Sequence, residues 1–294
     1  MSTANPLLPA LFISHGSPML AIEPGSTGAF LQRLGPAIDA TFGRPRAIVV
    51  VSPHTSAPLP VVLGSAAHHA VHDFGGFPRE LYALQYAPPG APALADRAVA
   101  LLAAAGIDNT RLDDEPGLDH GIWSVLRFAW PDADIPVLPI ALAPRAATAD
   151  QWALGAALAP LAAEGVLVLG SGSLTHNLGL VGRSAIQAAG DTPAGQELPQ
   201  SRDFRDWVAE RVQARDQAAL LDYRAQAPHA ALMHPSDEHW LPFYIAAGAG
   251  GLDATPARLH ASVTYGSLAM DAYAFGPGAQ ALRAALVTSA AAGA

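Results

Sequence analysis

The sequence predicts an α/β fold of three layers, α/β/α, with a mainly parallel or mixed central sheet and helices on both faces. Short apolar runs alternate with helical patterns along the whole chain, the order that a largely parallel sheet requires. A run such as AIVVV is apolar at every position, as a strand covered on both faces is. Several of these runs end in Gly, Ser or Pro turns that deliver a histidine. In open α/β sheets that position, beyond the carboxyl ends of the strands, is where ligands bind.

Taken in order, ALFIS (10–14) reads as the first strand, and 28–42 as the helix after it. RAIVVVSPH (46–54) is a β-branched strand bounded by Arg-Pro-Arg and Pro, and LPVVLGS (59–65) is a candidate third. Residues 92–106 form an amphipathic helix closed by Gly106, and 120–131 a helix stopped by Pro131. IPVLPIAL (135–142) is a strand, and 148–165 a helix with Thr148 or Asp150 as its N-cap. GVLVLGSGS (165–173) is a strand with a sharply turning end. Residues 201–223 read as one charged helical segment and 238–251 as a helix ending in glycines. Residues 257–276 add a late strand or hairpin, and 182–200 form a polar excursion. The last residues, 286–294, are expected to fray. With no internal repeat and no linker, 1–294 reads as one domain.

Composition removes several chemistries. The net charge of -9 argues against nucleic acid, whose phosphates need a basic surface, and weakly against anionic membranes. There is no cysteine, hence no thiolate nucleophile, disulfide, iron–sulfur cluster or cysteine-bound zinc. There is no lysine either, which excludes Schiff-base chemistry. The N-terminus lacks a positive leader region and no uncharged stretch reaches about 18 apolar residues, so a cytoplasmic protein without a membrane span is expected.

The histidines carry the remaining signal. His15 lies in LFISHGSP, where Gly16 and Pro18 make a rigid turn. His54 ends AIVVVSPH, and His176 follows the glycine-rich end of VLVLGSGSLTHN, beside Asn177. That glycine stretch lacks the spacing and lysine of a phosphate loop, and GSGSL is not a hydrolase nucleophile elbow around Ser171 or Ser173. HPSDEHWLP offers His239 as the preferred ligand, then Glu238, then His234; Asp237 reads as an acid at a helix start. His120, beside Asp119 at another helix start, suits a neutral imidazole that hydrogen-bonds a substrate oxygen. DFGGFPRELYALQY supplies Phe74, Phe77, Tyr82 and Tyr86, either an aromatic wall over a flat substrate or a packed loop. His68, His69, His72, His229 and His260 have no context that suggests a ligand.

In this order, HGSP, SPH, HDFGGFP, LDHGIW, GSGSLTHN and PSDEHWLP resemble the class III extradiol ring-cleaving dioxygenases of the LigB type, and within them the DOPA 4,5-dioxygenase (DODA) family. The resemblance runs from His15 to about Gly266. It implies an α/β domain with a divalent metal held by His15, His54 and His239. His176 would act as acid/base, or as a fourth ligand as in some zinc-bound members, and His120 would touch the substrate. Asn177, Phe74 and Tyr82 are the expected substrate contacts. Iron(II) is the implied cofactor for activity, with zinc an alternative bound metal. The partners are O2 and a catechol, opened to a semialdehyde; a homo-oligomer is compatible with this. Non-haem oxygenases generally pair two histidines with one carboxylate. A third histidine leaves the site one charge more positive, and Glu238 as ligand would restore the usual set. The competing readings are a zinc hydrolase, for which three histidines and an open position suffice, and a non-catalytic binding protein on the same fold. An amino-acid catechol would also want an arginine for its carboxylate.

Overall fold

A computed structural model describes residues 6–115, 117–182, 190–193 and 195–292. Twelve strands occur among the described residues: β1 (Ala10–Ser14), β2 (Ala47–Val51), β3 (Val61–Leu63), β4 (His69–Ala70), β5 (Thr110–Leu112), β6 (Gly117–Leu118), β7 (Val137–Ala141), β8 (Val166–Gly172), β9 (Ala257–His260), β10 (Val263–Thr264), β11 (Leu268–Ala269) and β12 (Ala272–Phe275). Eight build one mixed sheet in the order β5-β3-β7-β2-β8-β1-β12-β9. The four central strands, β7, β2, β8 and β1, are mutually parallel. β3 runs antiparallel to β7, and β12 antiparallel to both β1 and β9.

Strand period two sorts the core into two layers. Ala47, Val49 and Val51 of β2 join one cluster with Phe12, Val166 and Val168; Ile48 and Val50 join the other with Leu11, Ile13, Leu167 and Leu169. The first face is covered by helices Pro92–Ala104, Thr148–Leu158, Pro199–Ala214 and Leu241–Gly250, the second by Gly25–Phe42, His120–Ala129 and Ala279–Ala292. The predicted three-layer α/β/α arrangement is therefore present, with a mixed sheet. Among the described residues no helix is long and apolar enough to cross a membrane.

Several element bounds differ from expectation, each for a local reason. The helix at 148 is capped at Ala147, not at Thr148 or Asp150; Asp150 lies three residues in and accepts the Ala147 N–H at 3.0 Å. It gives way to a 3-10 turn at Ala159–Glu164, with Pro160 at its start. The charged segment breaks at Arg215, which adopts φ 58, and resumes at Gln217–Leu221 because the Asp216 carboxylate accepts the Ala219 N–H. The helix expected from 238 begins at Leu241, which leaves His239 ahead of it. The C-terminal helix runs Ala279–Ala292; residues 293–294 lie outside the described residues. Residues 183–189 and 194 of the polar excursion also lie outside them.

Two glycines allow the close approaches that set the centre. A Cβ at Gly172 would stand 2.3 Å from the His239 carbonyl oxygen, so only glycine lets the chain before Leu241 lie against the end of β8. That carbonyl accepts the Ser173 N–H at 2.8 Å, tying His239 to the strand end. A Cβ at Gly121 would stand 2.6 Å from Ser52 Oγ and 3.0 Å from His15 Cε1.

Candidate metal centre

His15 and His54 follow the carboxyl ends of β1 and β2, and His239 is brought to the end of β8 by the contact with Gly172. Their rings form a triangle, with centroids 5.1 Å (His15–His54), 4.9 Å (His54–His239) and 5.6 Å (His15–His239) apart. The Nε2 of His54 lies 3.1 Å from that of His15 and 3.3 Å from that of His239.

The partners of the opposite nitrogens fix the protons. Ser171 Oγ donates to the Gly121 carbonyl at 2.5 Å, so it can only accept from His15 Nδ1–H, 3.0 Å away. Glu238 Oε1 accepts from His239 Nδ1–H at 3.2 Å. That hydrogen bond is the main reason the Glu238 carboxyl titrates low, at about 2. His54 Nδ1 faces Asp73 Oδ2 at 3.7 Å. His15 and His239 thus have an acceptor bonded at Nδ1, His54 has one 3.7 Å away, and the Nε2 atoms of His15 and His239 both lie beside that of His54. Lone pairs at 3.1 and 3.3 Å repel unless a cation lies between them. Bonds of about 2.0–2.1 Å to two nitrogens at a near-tetrahedral angle separate those nitrogens by roughly 3.3 Å. The donor set therefore fits a divalent metal. In its absence, protonation is suppressed. Burial, then the positive charges of the neighbouring imidazoles, lower His15 well below an ordinary imidazole, and the same causes lower His54 to about 3.

Around these three stand the other candidates. The His176 ring stacks on His239 with centroids 3.4 Å apart and planes 8° from parallel. Burial and then His239 lower it to about 3. Among the described residues, side chains able to hold a metal fall into two groups, His15 with His54 and His120, and His176 with Glu238 and His239, which the His54–His239 contact joins. Glu238 touches His239 at Nδ1, the ring edge opposite the shared focus. His234 is buried and points Nε2 at the Leu174 carbonyl instead, at 2.8 Å.

His120 opens helix His120–Ala129 with its centroid 4.0 Å from that of His54. The edge of Phe74 meets it, at 5.6 Å between centroids, and Tyr82 lies behind Phe74 at 5.2 Å. Tyr86 is core, donating its hydroxyl to the Trp130 carbonyl. The Asn177 amide is engaged with backbone: its oxygen accepts the Gly179 N–H and its nitrogen donates to the Leu232 carbonyl. A cleft of about 360 Å³ borders His54 and Asp73, walled by Val61, Leu63, Val71 and Ala141. Among the described residues no arginine lines it. Ser171 and Ser173 are fully buried, with both hydroxyls given to carbonyls, so neither is a nucleophile.

Sequence reasoning missed the acids and hydroxyls behind the rings. Asp119 is buried and accepts from Ser52 Oγ at 2.7 Å and Thr55 Oγ1 at 2.6 Å, which fastens the turn carrying His54. Asp73 was visible only as a carboxylate next to an aromatic loop.

The sequence from residue 9 to 276 matches the family model described as the catalytic LigB subunit of aromatic ring-opening dioxygenase. The chain belongs to that family. It is a class III extradiol, DODA-like enzyme of aromatic ring opening. It is 34% identical to a 4,5-DOPA dioxygenase extradiol of Beta vulgaris over 277 residues, covering 94% of this chain and 99% of the relative. It is 36% identical to a protein of the same name from Escherichia coli (strain K12), covering 82% and 85%. The crystal structure of an uncharacterized protein from Escherichia coli K12 superposes with a TM-score of 0.74 at 30% identity, covering 92% of this chain and all of that one.

Proposed function

We propose that this LigB-type enzyme opens a catechol by extradiol (4,5-type) cleavage with O2, giving a ring-opened semialdehyde, and that the whole chain works as one catalytic unit. The observation that carries the reading is the meeting of three Nε2 lone pairs, each with an acceptor beside its Nδ1. His15, His54 and His239 would hold the metal, iron(II) for turnover or zinc as a bound alternative. When bound, it supplies the Lewis acidity and redox contact that join catechol and O2. Glu238 then orients His239 from behind and returns part of the negative charge that a ligating carboxylate would have given.

The protein's own groups do the rest. His54 borders the open cleft, so a ring can enter from there. Phe74 sets one wall beside His120, with Tyr82 supporting it. His120 keeps Nδ1–H toward Asp73 and therefore offers Nε2 as an acceptor for a phenolic O–H. The His176 ring stacks on His239, and its backbone N–H donates to the Met233 carbonyl at 2.9 Å. Its imidazole would take a phenolic proton and return it as the ring opens. Asn177 acts through its loop, which holds His176.

The test is a panel of catechols incubated anaerobically with the iron(II)-reconstituted protein and then exposed to air. Oxygen uptake with formation of a yellow semialdehyde is the expected result. Oxygen-independent ester or amide cleavage, or no turnover of any catechol, would overturn the reading.

A further inference from the structure

The Asp73 carboxylate lies between the metal-facing and substrate-facing imidazoles. Its Oδ1 accepts the His120 backbone N–H at 2.9 Å, and both oxygens accept His120 Nδ1–H, at 3.1 and 3.0 Å. The same Oδ2 stands 3.7 Å from His54 Nδ1. The two rings are 4.0 Å apart between centroids. We propose that Asp73 is a positioning residue that sets the tautomers of His54 and His120 together, keeping a lone pair on the inward nitrogen of each.

The argument is one of donors and acceptors. An ionised carboxylate only accepts, so His120 Nδ1, hydrogen-bonded to it, must carry a proton, and its negative charge 3.7 Å away favours a proton on His54 Nδ1. Each neutral ring then has its lone pair at Nε2, where a metal or a phenolic O–H can use it. Asp73 reaches this place because it follows β4, whose pairing with β6 lays the chain alongside the residues that lead into His120. The inference rests on the proposed centre, but its chemistry can be read without turnover.

Asp73→Asn is the discriminating change. The amide keeps one acceptor oxygen and puts an N–H₂ where Oδ2 was. That donor meets the ring N–H groups head-on, and relief comes by moving a ring proton to Nε2. The experiment measures zinc dissociation by chelator competition and ring ¹⁵N shifts by NMR on metal-free protein, in wild type, Asp73→Asn and Asp73→Glu. The expected result is a ten- to hundredfold weaker zinc affinity for Asp73→Asn, the range typical of acids that orient metal-bound histidines. Its His120 or His54 should shift to the Nε2–H tautomer, with partial rescue in Asp73→Glu. Unchanged zinc affinity, or an unchanged tautomer in Asp73→Asn, overturns the proposal. Should Asp73→Asn fail to fold, the wild-type spectrum still decides: His120 and His54 must both be Nδ1–H. Failure of wild-type protein to bind zinc at all, with those tautomers present, would count against the centre and leave the Asp73 assignment standing.

Discussion

Ser171→Ala tests the logic of the centre most directly. The hydroxyl is wholly buried and joins His15 Nδ1–H at 3.0 Å to the Gly121 carbonyl at 2.5 Å. Removing it leaves one buried donor and one buried acceptor without partners. Each orphan costs about 1–3 kcal/mol, so the metal-free protein should lose roughly 2–6 kcal/mol. At about 2–4 °C per kcal/mol for a chain somewhat shorter than this one, Tm should fall by roughly 5–25 °C. His15 is then released from the Nδ1–H tautomer, and zinc affinity should drop about ten- to hundredfold. Denaturant melts with and without zinc read both effects, since a bound ion raises stability by a term set by its concentration over Kd. Ser173→Ala is the control: it strands only the Thr175 carbonyl, removes no bond to a histidine ring and keeps the backbone N–H bond to His239, so it should weaken the fold without changing zinc affinity. If Ser171→Ala binds zinc as wild type does, the tautomer argument for His15 fails.

Three further outcomes follow from the same geometry. Gly172→Ala places a methyl 2.3 Å from a backbone oxygen that cannot swing away, so it should destabilise by about 3 kcal/mol and weaken zinc binding through His239; a wild-type melt and affinity would refute this. His176→Ala should retain metal by elemental analysis and lose ring cleavage, whereas metal content down by half or more would make His176 a ligand. For pH, burial holds His54, His176 and His234 near 3 and His260 near 4 in the folded protein, against an ordinary 6.5 when unfolded. The unfolded chain therefore binds more protons between those values, so metal-free stability is full above about pH 6.5 and falls as pH drops toward 3–4. Melts of metal-free protein across that window should show the decline, and a flat profile would contradict the burial of these rings.

The strands that carry histidines were readable because both their signals are local. AIVVV is apolar at consecutive positions, and a turn residue follows. The three-layer packing then follows from chain order. What was not readable depends on contacts far along the chain. Ser171 bonds His15 across 156 residues, and Asp73 bonds His120 across 47. Nothing in GSGS or HDFGG says which ring a hydroxyl or carboxylate will face. The break at Arg215 escaped notice because the apolar period resumes after it, so the pattern hid a cap. Only packing gives Glu238 and His239 different surroundings. The glycine at 172 admits the backbone of His239, and the neighbouring acid is left at the outer edge of the ring.

Three inward-facing nitrogens come from positions 15, 54 and 239, so an ion among them would tie the first strand to a turn more than two hundred residues later. Such a clasp closes long loops of polypeptide that nothing covalent closes, since the chain has no cysteine. Metal supply would then govern how long the folded molecule survives as well as whether it turns over, and a starved cell would lose the protein itself to its proteases.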